Sequence, residues 1–533
     1  MNLARHAVSE SSDIKSCLEF VAALPSEEPS RTQGLLIDFL ARQLVAPLPP
    51  NDYLQILELV RAPLARAQEE VSRSYVAKPL PNAADEDAAF HRVVSAWQAM
   101  AKCYAQVAHS GGDDPTIQSA LALICQRCIR YTGLALAEHY RAHRALASGI
   151  WLDLHGYFDT AEEWGLAGVP VPEPLGGPPL STTCAATYAD VLLADLSNPY
   201  GRNAAELAWI ASWSRRFAPL TSLVDGPKDS AGRGFGVDLM SDQGLQPIKA
   251  LAGSKSTRVF DTSRLASGLP RLCEKLKKGI TPAALGLGDS CSAHDALRLL
   301  VLLYRPWCLG AIPRRFERVE TAGELPSCFG FEAIHFQIGG KEFVQPEHVR
   351  AFSRSDMDSL WTFRDQLDPE QPLYQRVTQL GYVPEQWDIV DASISGYGLY
   401  RLVRTGLASR IEYGQLCCVK PAGSEYFLLG KISWLMLRSD GSLRAGLHLF
   451  AGKPRAVGFR PMGDEVSVSE KYTRALHLPA LPGLREAESI IVPKGWFSPG
   501  KTLELLTERP QPIRLGECLD FGADFERIGF TCL

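Results

Sequence analysis

A chain of 533 residues is too long for one compact core and is expected to divide into about three domains. Its hydrophobic content, 46%, is ample for cores of that size and excludes wholesale disorder. A net charge of −5 offers no broad basic field, which excludes a long nucleic-acid polymer as a general partner. A small anion needs only a local arginine cluster.

The first ten residues hold no basic region followed by an apolar core, so no secretory leader is expected. The longest strongly apolar run, near Leu297 to Tyr304, falls well short of the roughly 20 residues that span a bilayer. Thirteen cysteines without a small-domain framework fit reduced thiols. The expectation is a cytoplasmic protein with no membrane insertion.

From Ser12 to about Leu223 the pattern is helical. Phe90, Val93, Val94, Trp97, Met100, Ala101, Tyr104 and Val107 recur every three or four residues and share one helical face. Gly111 and Gly112 end that helix. Asp114 is the expected N-cap of the next, with Pro115 in its first turn, where a missing N–H is harmless. Trp151 to Gly165 reads as a helical hairpin, and Val169 to Pro179 as a Pro/Gly-rich connector. Asn203 and Glu206 have capping-box spacing ahead of Trp209, Ile210, Trp213 and Phe217. Residues 224–310 are mixed, with strand-like runs at Gly234 to Met240 and Thr257 to Phe260. Helices are expected there at Pro270 to Lys278 and His294 to Leu303.

From Pro313 onward the period becomes two. Ile432, Trp434 and Met436 alternate with Lys431, Ser433 and Leu435, Asp440-Gly441 supplies a hairpin turn, and Leu443, Ala445, Leu447 and Leu449 resume the alternation. Short strands continue to the C-terminus, so this half is expected to be β-rich and barrel-like.

Two short motifs mark this region: Arg314-Arg315-Phe316-Glu317-Arg318, and Asp391-Ala392-Ser393-Ile394-Ser395-Gly396. Together they resemble the RxxxR loop and the (D/N)xSxxG strand and turn of PilZ domains. Gly430 to Trp434 and Leu443 to Leu447 resemble the later strands of that barrel. The resemblance spans roughly Pro313 to Pro461. It implies an antiparallel barrel that binds cyclic di-GMP through Arg314, Arg315, Arg318, Asp391, Ser393 and Gly396. The chemistry suits the residues. Arginine offers a planar fork of donors to phosphate oxygens and to the guanine O6/N7 edge. Asp391 can accept from guanine N1–H and N2, Ser393 adds a hydroxyl, and Gly396 lets backbone approach closely.

Arg318 and Asp391 lie 73 positions apart, further than in compact PilZ domains, which implies an insertion after a first strand near Ala333 to Ile338. That insertion carries a helix expected from Ser355 to Gln366 and a second RxxxR, Arg350 to Arg354, a rival for the arginine clamp. The expected fold is multidomain α+β. It comprises a helical domain over 1–223, a mixed segment over 224–310, a PilZ-like barrel over 311–462 with an insertion at about 339–385, and a β-rich extension over 463–533.

Other signals carry less. Met462 to Val466 is similar to the GGDEF signature of cyclic di-GMP synthases, but only 67 residues follow it, too few for a cyclase domain. Cys125 and Cys128 have metal-pair spacing, and His139 and His143 are four apart. About 21 Å of continuous helix would separate Cys125 from His139. Asp238 to Gly244 lacks a full EF-hand ligand series. With no P-loop, GxSxG or HExxH, no catalytic set emerges, and neither cofactor nor metal is expected. The leading expectation is a receptor for cyclic di-GMP that relays to a partner protein through its helical half. The alternative is a degenerate barrel that binds no nucleotide and serves as an interaction scaffold.

Overall fold

A computed structural model describes residues 14–175, 177, 180–226, 234–251, 254, 256–310, 317–346, 381–403, 409–462 and 471–533. Two compact units emerge, Met1–Lys78 with Asn82–Arg314, and Pro79–Pro81 with Arg315–Leu533.

The first unit is built on helices α1 (Ile14–Ala22), α2 (Pro29–Val45), α3 (Pro50–Ser72), α4 (Ala84–Ser110), α5 (Pro115–Arg141), α6 (Ile150–Glu163), α7 (Cys184–Leu196) and α8 (Ala204–Phe217). The expected face of α4 is buried, from Phe90 through Trp97 and Tyr104 to Val107. Asp114 caps α5 by accepting from the Thr116 N–H, and Asn203 caps α8 by accepting from the Glu206 N–H. The hairpin expected at Trp151 to Gly165 is instead the single helix α6: Trp151, Leu154, His155, Phe158 and Ala161 bury one continuous stripe across Gly156. The connector holds a two-stranded ribbon, β1 (Val171–Pro172) with β2 (Ser181–Thr182).

The mixed segment forms a sheet in the order β3 (Ser222–Asp225), β6 (Thr257–Asp261), β4 (Phe235–Asp238), β5 (Gln246–Pro247). Helix α9 (Ser263–Lys277) begins seven residues before Pro270, which lies inside it, so the proline does not mark its start. Helix α10 (Ala293–Cys308) follows, capped by Ser292.

The second unit contains two β-barrels. The first uses β7 (Val319–Glu320), β8 (Glu324–Phe329), β9 (Glu385–Ser393), β10 (Gly396–Leu402), β11 (Leu416–Val419), β12 (Leu428–Leu437) and β13 (Ser442–Leu449). The sheet runs β10-β13-β12-β11-β8-β9-β7, and β9 also pairs with β10, so it curls back on itself. Leu325, Trp387, Leu399, Ile432, Leu435, Leu443 and Leu447 fill its interior. The first strand expected near Ala333 is helix α11 (Phe331–Gly339), which buries Ala333, Ile334 and Phe336 and ends at Gly340 in the left-handed region. The first strands of this barrel lie earlier, at β7 and β8. The helix expected at Ser355 to Gln366 falls outside the described residues.

The β-rich extension is itself a closed barrel, β14 (Arg455–Pro461), β15 (Thr473–Leu478), β16 (Ser489–Pro493), β19 (Phe525–Cys532), β18 (Pro510–Phe521), β17 (Thr502–Leu506). Strand β14 pairs with β15 and β17, so the second barrel takes residues that the expected boundary at 462 gave to the first. The two barrels share a core: Cys328, Ile334, Leu416, Cys418 and Leu429 pack with Leu476, Ile491 and Phe525. Adjacent Cys417 and Cys418 point to opposite faces, Cys417 into the first barrel and Cys418 into this shared layer.

One polar tie crosses that layer. Asp524, in the turn after β18, accepts from the Leu416 N–H at 2.9 Å. Burial outweighs this bond and pushes its carboxyl up to about 6. The folded state therefore takes up a proton between pH 4 and 6, and the stability this proton provides is lost as pH rises through 6. Asp524→Asn keeps the acceptor without the charge. It should match the parent below pH 4 and exceed it by about 3 kcal/mol above pH 6.5 in chemical denaturation of the β unit. Equal stabilities at pH 7.5 would refute the assignment.

Candidate functional site

The outer face of the first barrel gathers most of the chemistry. Strand pairing puts Asp391 opposite Gly398, Gly398 opposite Gly446, and Gly446 opposite Trp434, one row across β9, β10, β13 and β12. Register shifts flank the two glycines. Val390 is an extra residue in β9, and Ser433 an extra residue in β12. Such bulges bend a strand and re-aim the side chain beside them. Here they turn Asp391 and Trp434 toward each other over the glycines. A Cβ on Gly398 would run into the Asp391 carboxylate, and one on Gly446 into the Trp434 indole. The two glycines thus form the floor of a shallow trough that the Asp391 carboxylate and the Trp434 indole fill.

Neighbouring rows extend this face. On one side Ser393, Gly396, His448 and Lys431 are aligned, and on the other Asp388, Tyr400, Arg444 and Met436. Ser393 and Gly396 close the β9–β10 hairpin, with the Ser393 hydroxyl 3.3 Å from the Gly396 carbonyl and 3.4 Å from the Ser395 hydroxyl. A side chain at 396 would collide with the Leu447 carbonyl, so the backbone approach requires glycine. Lys431 is engaged by Asp520 of the second barrel at 2.5 Å.

The structure brings Arg318 to Asp391: its guanidinium donates to Asp391 Oδ1 across the 73-residue separation. Both side chains keep about a quarter of their surface exposed, 24% and 28%. Arg314 and Arg315 lie outside the described residues, as do Arg350 and Arg354. Residue type and spacing alone give Trp434 and Arg444 no role beyond that of strand residues. The available signal was glycine inside strands, at 398 and 446, which marks a bulge or a close approach.

A second charge cluster is built into the helical unit. Glu173, which follows β1, is 2% exposed and accepts from Arg61 at 2.6 and 2.7 Å and from Arg127 at 3.0 Å, with Arg130 at 3.4 Å. Arg127 also donates to Glu58 and to the Pro172 carbonyl. Burial raises the Glu58 carboxyl, but Arg127 and Arg61 outweigh it and hold it at about 2. These groups satisfy one another and staple the β1–β2 ribbon to α3 and α5. Cys125, Cys128 and His139 are buried along α5. Among the described residues no three His, Cys, Asp or Glu side chains gather to hold a metal ion, and no helix is long and apolar enough to cross a membrane.

Comparison with known proteins places this architecture. A family model described as "Cyclic-di-GMP receptor FimW, N-terminal domain" matches residues 15–228. A second, "FimW C-terminal beta-barrel domain", matches residues 457–533. The chain belongs to the FimW family. The two FimW models together cover more than half of it, on the helical unit and the second barrel. The barrel that carries the glycine trough lies between them. A curated relative, the cyclic-di-GMP receptor FimW of Pseudomonas aeruginosa, is 22% identical over 441 residues, which are 73% of this chain and 67% of the relative.

Proposed function

We propose that this chain is a non-catalytic cytoplasmic receptor for cyclic di-GMP, and that its PilZ-like first barrel holds the ligand on its outer face. The observation that carries this reading is the Arg318–Asp391 pair beside a trough floored by Gly398 and Gly446. The name of the Pseudomonas aeruginosa relative supports it.

In this reading a guanine stacks on the outer face of the Trp434 indole, beside Asp391. Its N1–H and N2 amino group donate to Asp391, and its face meets the Trp434 indole. Stacking of this kind is worth about 1–3 kcal/mol per base. The Ser393 hydroxyl is placed to donate to a phosphate oxygen or accept from the base edge. Arg318 turns from Asp391 toward the phosphates as the base takes over the carboxylate. Arg314 and Arg315, just upstream, supply further guanidinium forks. The helical unit relays the bound state to a partner protein, to the extent that the partner binds the loaded and empty forms with different affinity.

Calorimetric titration of the full chain with cyclic di-GMP tests the reading. Saturable heat and a ligand-dependent rise in melting temperature are expected. Absence of both at high ligand would leave the scaffold alternative.

A further inference from the structure

Resting on that reading, we infer that Arg444 is a further ligand-binding residue of the same face, a donor to a phosphodiester oxygen of the bound dinucleotide. Arg444 lies on β13 two residues before Gly446, so its side chain emerges on the same side of the sheet as the trough. The distance along the strand is about 7 Å, one pleat repeat. Cross-strand neighbours Tyr400 and Met436 flank it, and their row runs beside the row of Asp391, Gly398, Gly446 and Trp434.

One donor of this residue stands without an acceptor: the Arg444 Nε is buried, and it has no hydrogen-bond partner among the described residues. A buried guanidinium donor normally finds an acceptor, because leaving it unmade forfeits solvation without return. Lys431 and Arg318 on the same face are engaged, by Asp520 and Asp391 respectively. Arg444 therefore holds a donor that the described residues leave unsatisfied, one row from the Asp391 carboxylate and the Trp434 indole. An anionic oxygen arriving beside the Trp434 indole would supply the missing acceptor, and a guanidinium matches phosphate geometry well.

Arg444→Met, which keeps the apolar stem and removes the donors, should act in opposite directions on stability and on binding. In the full chain, melting temperature without ligand should stay the same or rise, because an unsatisfied donor is lost. Affinity for cyclic di-GMP, measured by calorimetry, should fall at least tenfold, and Arg444→Lys should recover part of it. If the parent binds and Arg444→Met binds within twofold of it, the inference is wrong while the receptor reading stands. If Arg444→Met weakens binding and also lowers the ligand-free melting temperature by several degrees, the residue is structural and the inference is again wrong. If the parent itself shows no binding, the receptor reading falls and takes this inference with it.

Discussion

Asp391→Ala should weaken cyclic di-GMP binding by about 10- to 100-fold while leaving the fold almost untouched. A carboxylate that receives two donors from one guanine edge is worth about 1–3 kcal/mol of discrimination, which is that range of affinity. Its role in the free chain is smaller. The Arg318–Asp391 pair is partly exposed, at 24% and 28%, and pairs in that setting contribute about 1 kcal/mol or less. Asp391→Asn should be the milder change, because the motif admits Asn at this position. Its amide oxygen can still accept one of the two guanine donors, and size and shape are kept. Calorimetry on the purified variants reads the affinity, and thermal melting reads the fold. Affinity within twofold of the parent for both variants would mean that Asp391 does not read a guanine.

The largest effect on stability is expected in the helical unit. Glu173→Ala removes the carboxylate shared by Arg61, Arg127 and Arg130, whose side chains are 3%, 1% and 11% exposed. Breaking a buried pair from one side leaves uncompensated charge and typically costs about 3–5 kcal/mol. Glu58 can still answer Arg61 and Arg127, but Arg130 loses its ion pair. Amide hydrogen exchange along α5 in the full chain should accelerate by two powers of ten or more, roughly the factor this energy implies. Unchanged protection of α5 would show that the ribbon carrying Glu173 is not a staple. Because the first barrel is a separate unit, its exchange should be unaffected, which separates this outcome from general unfolding.

Helices and caps were legible because their determinants are local. Phe90, Trp97 and Tyr104 recur at helical spacing, and Asp114 and Asn203 each stand within three residues of the N–H they accept from. The β half was legible as β for a similar reason, through period-two runs such as Leu443 to Leu449. Its connectivity was not. Strand β14 pairs with β17, and β16 with β19, across intervening strands, so a second closed barrel looked like an extension. Helix α11 was missed because Ala333, Ile334 and Phe336 form a short apolar run that fits strand or helix equally.

At the candidate site, one extra residue made the difference. Strict alternation put Ile432, Trp434 and Met436 on one face. The bulge at Ser433 separates them, burying Ile432 in the barrel and leaving Trp434 over Gly446. The Asp391 side of the trough depends on a second bulge at Val390. Period-two reading cannot see either shift, because each moves every later side chain to the other face. The pairing of Arg318 with Asp391 could be posed as a question from the two motifs, and only folding could bring the groups together.

Whether the glycine-floored face is where the dinucleotide sits is most directly read by hydrogen–deuterium exchange of the full chain, with and without saturating cyclic di-GMP. Slower exchange should concentrate in Asp391–Arg401 and Leu443–His448, with β17 and β18 of the second barrel unchanged. Ligand-induced protection confined to the helical unit or to the second barrel, with these two stretches exchanging as before, would contradict the account.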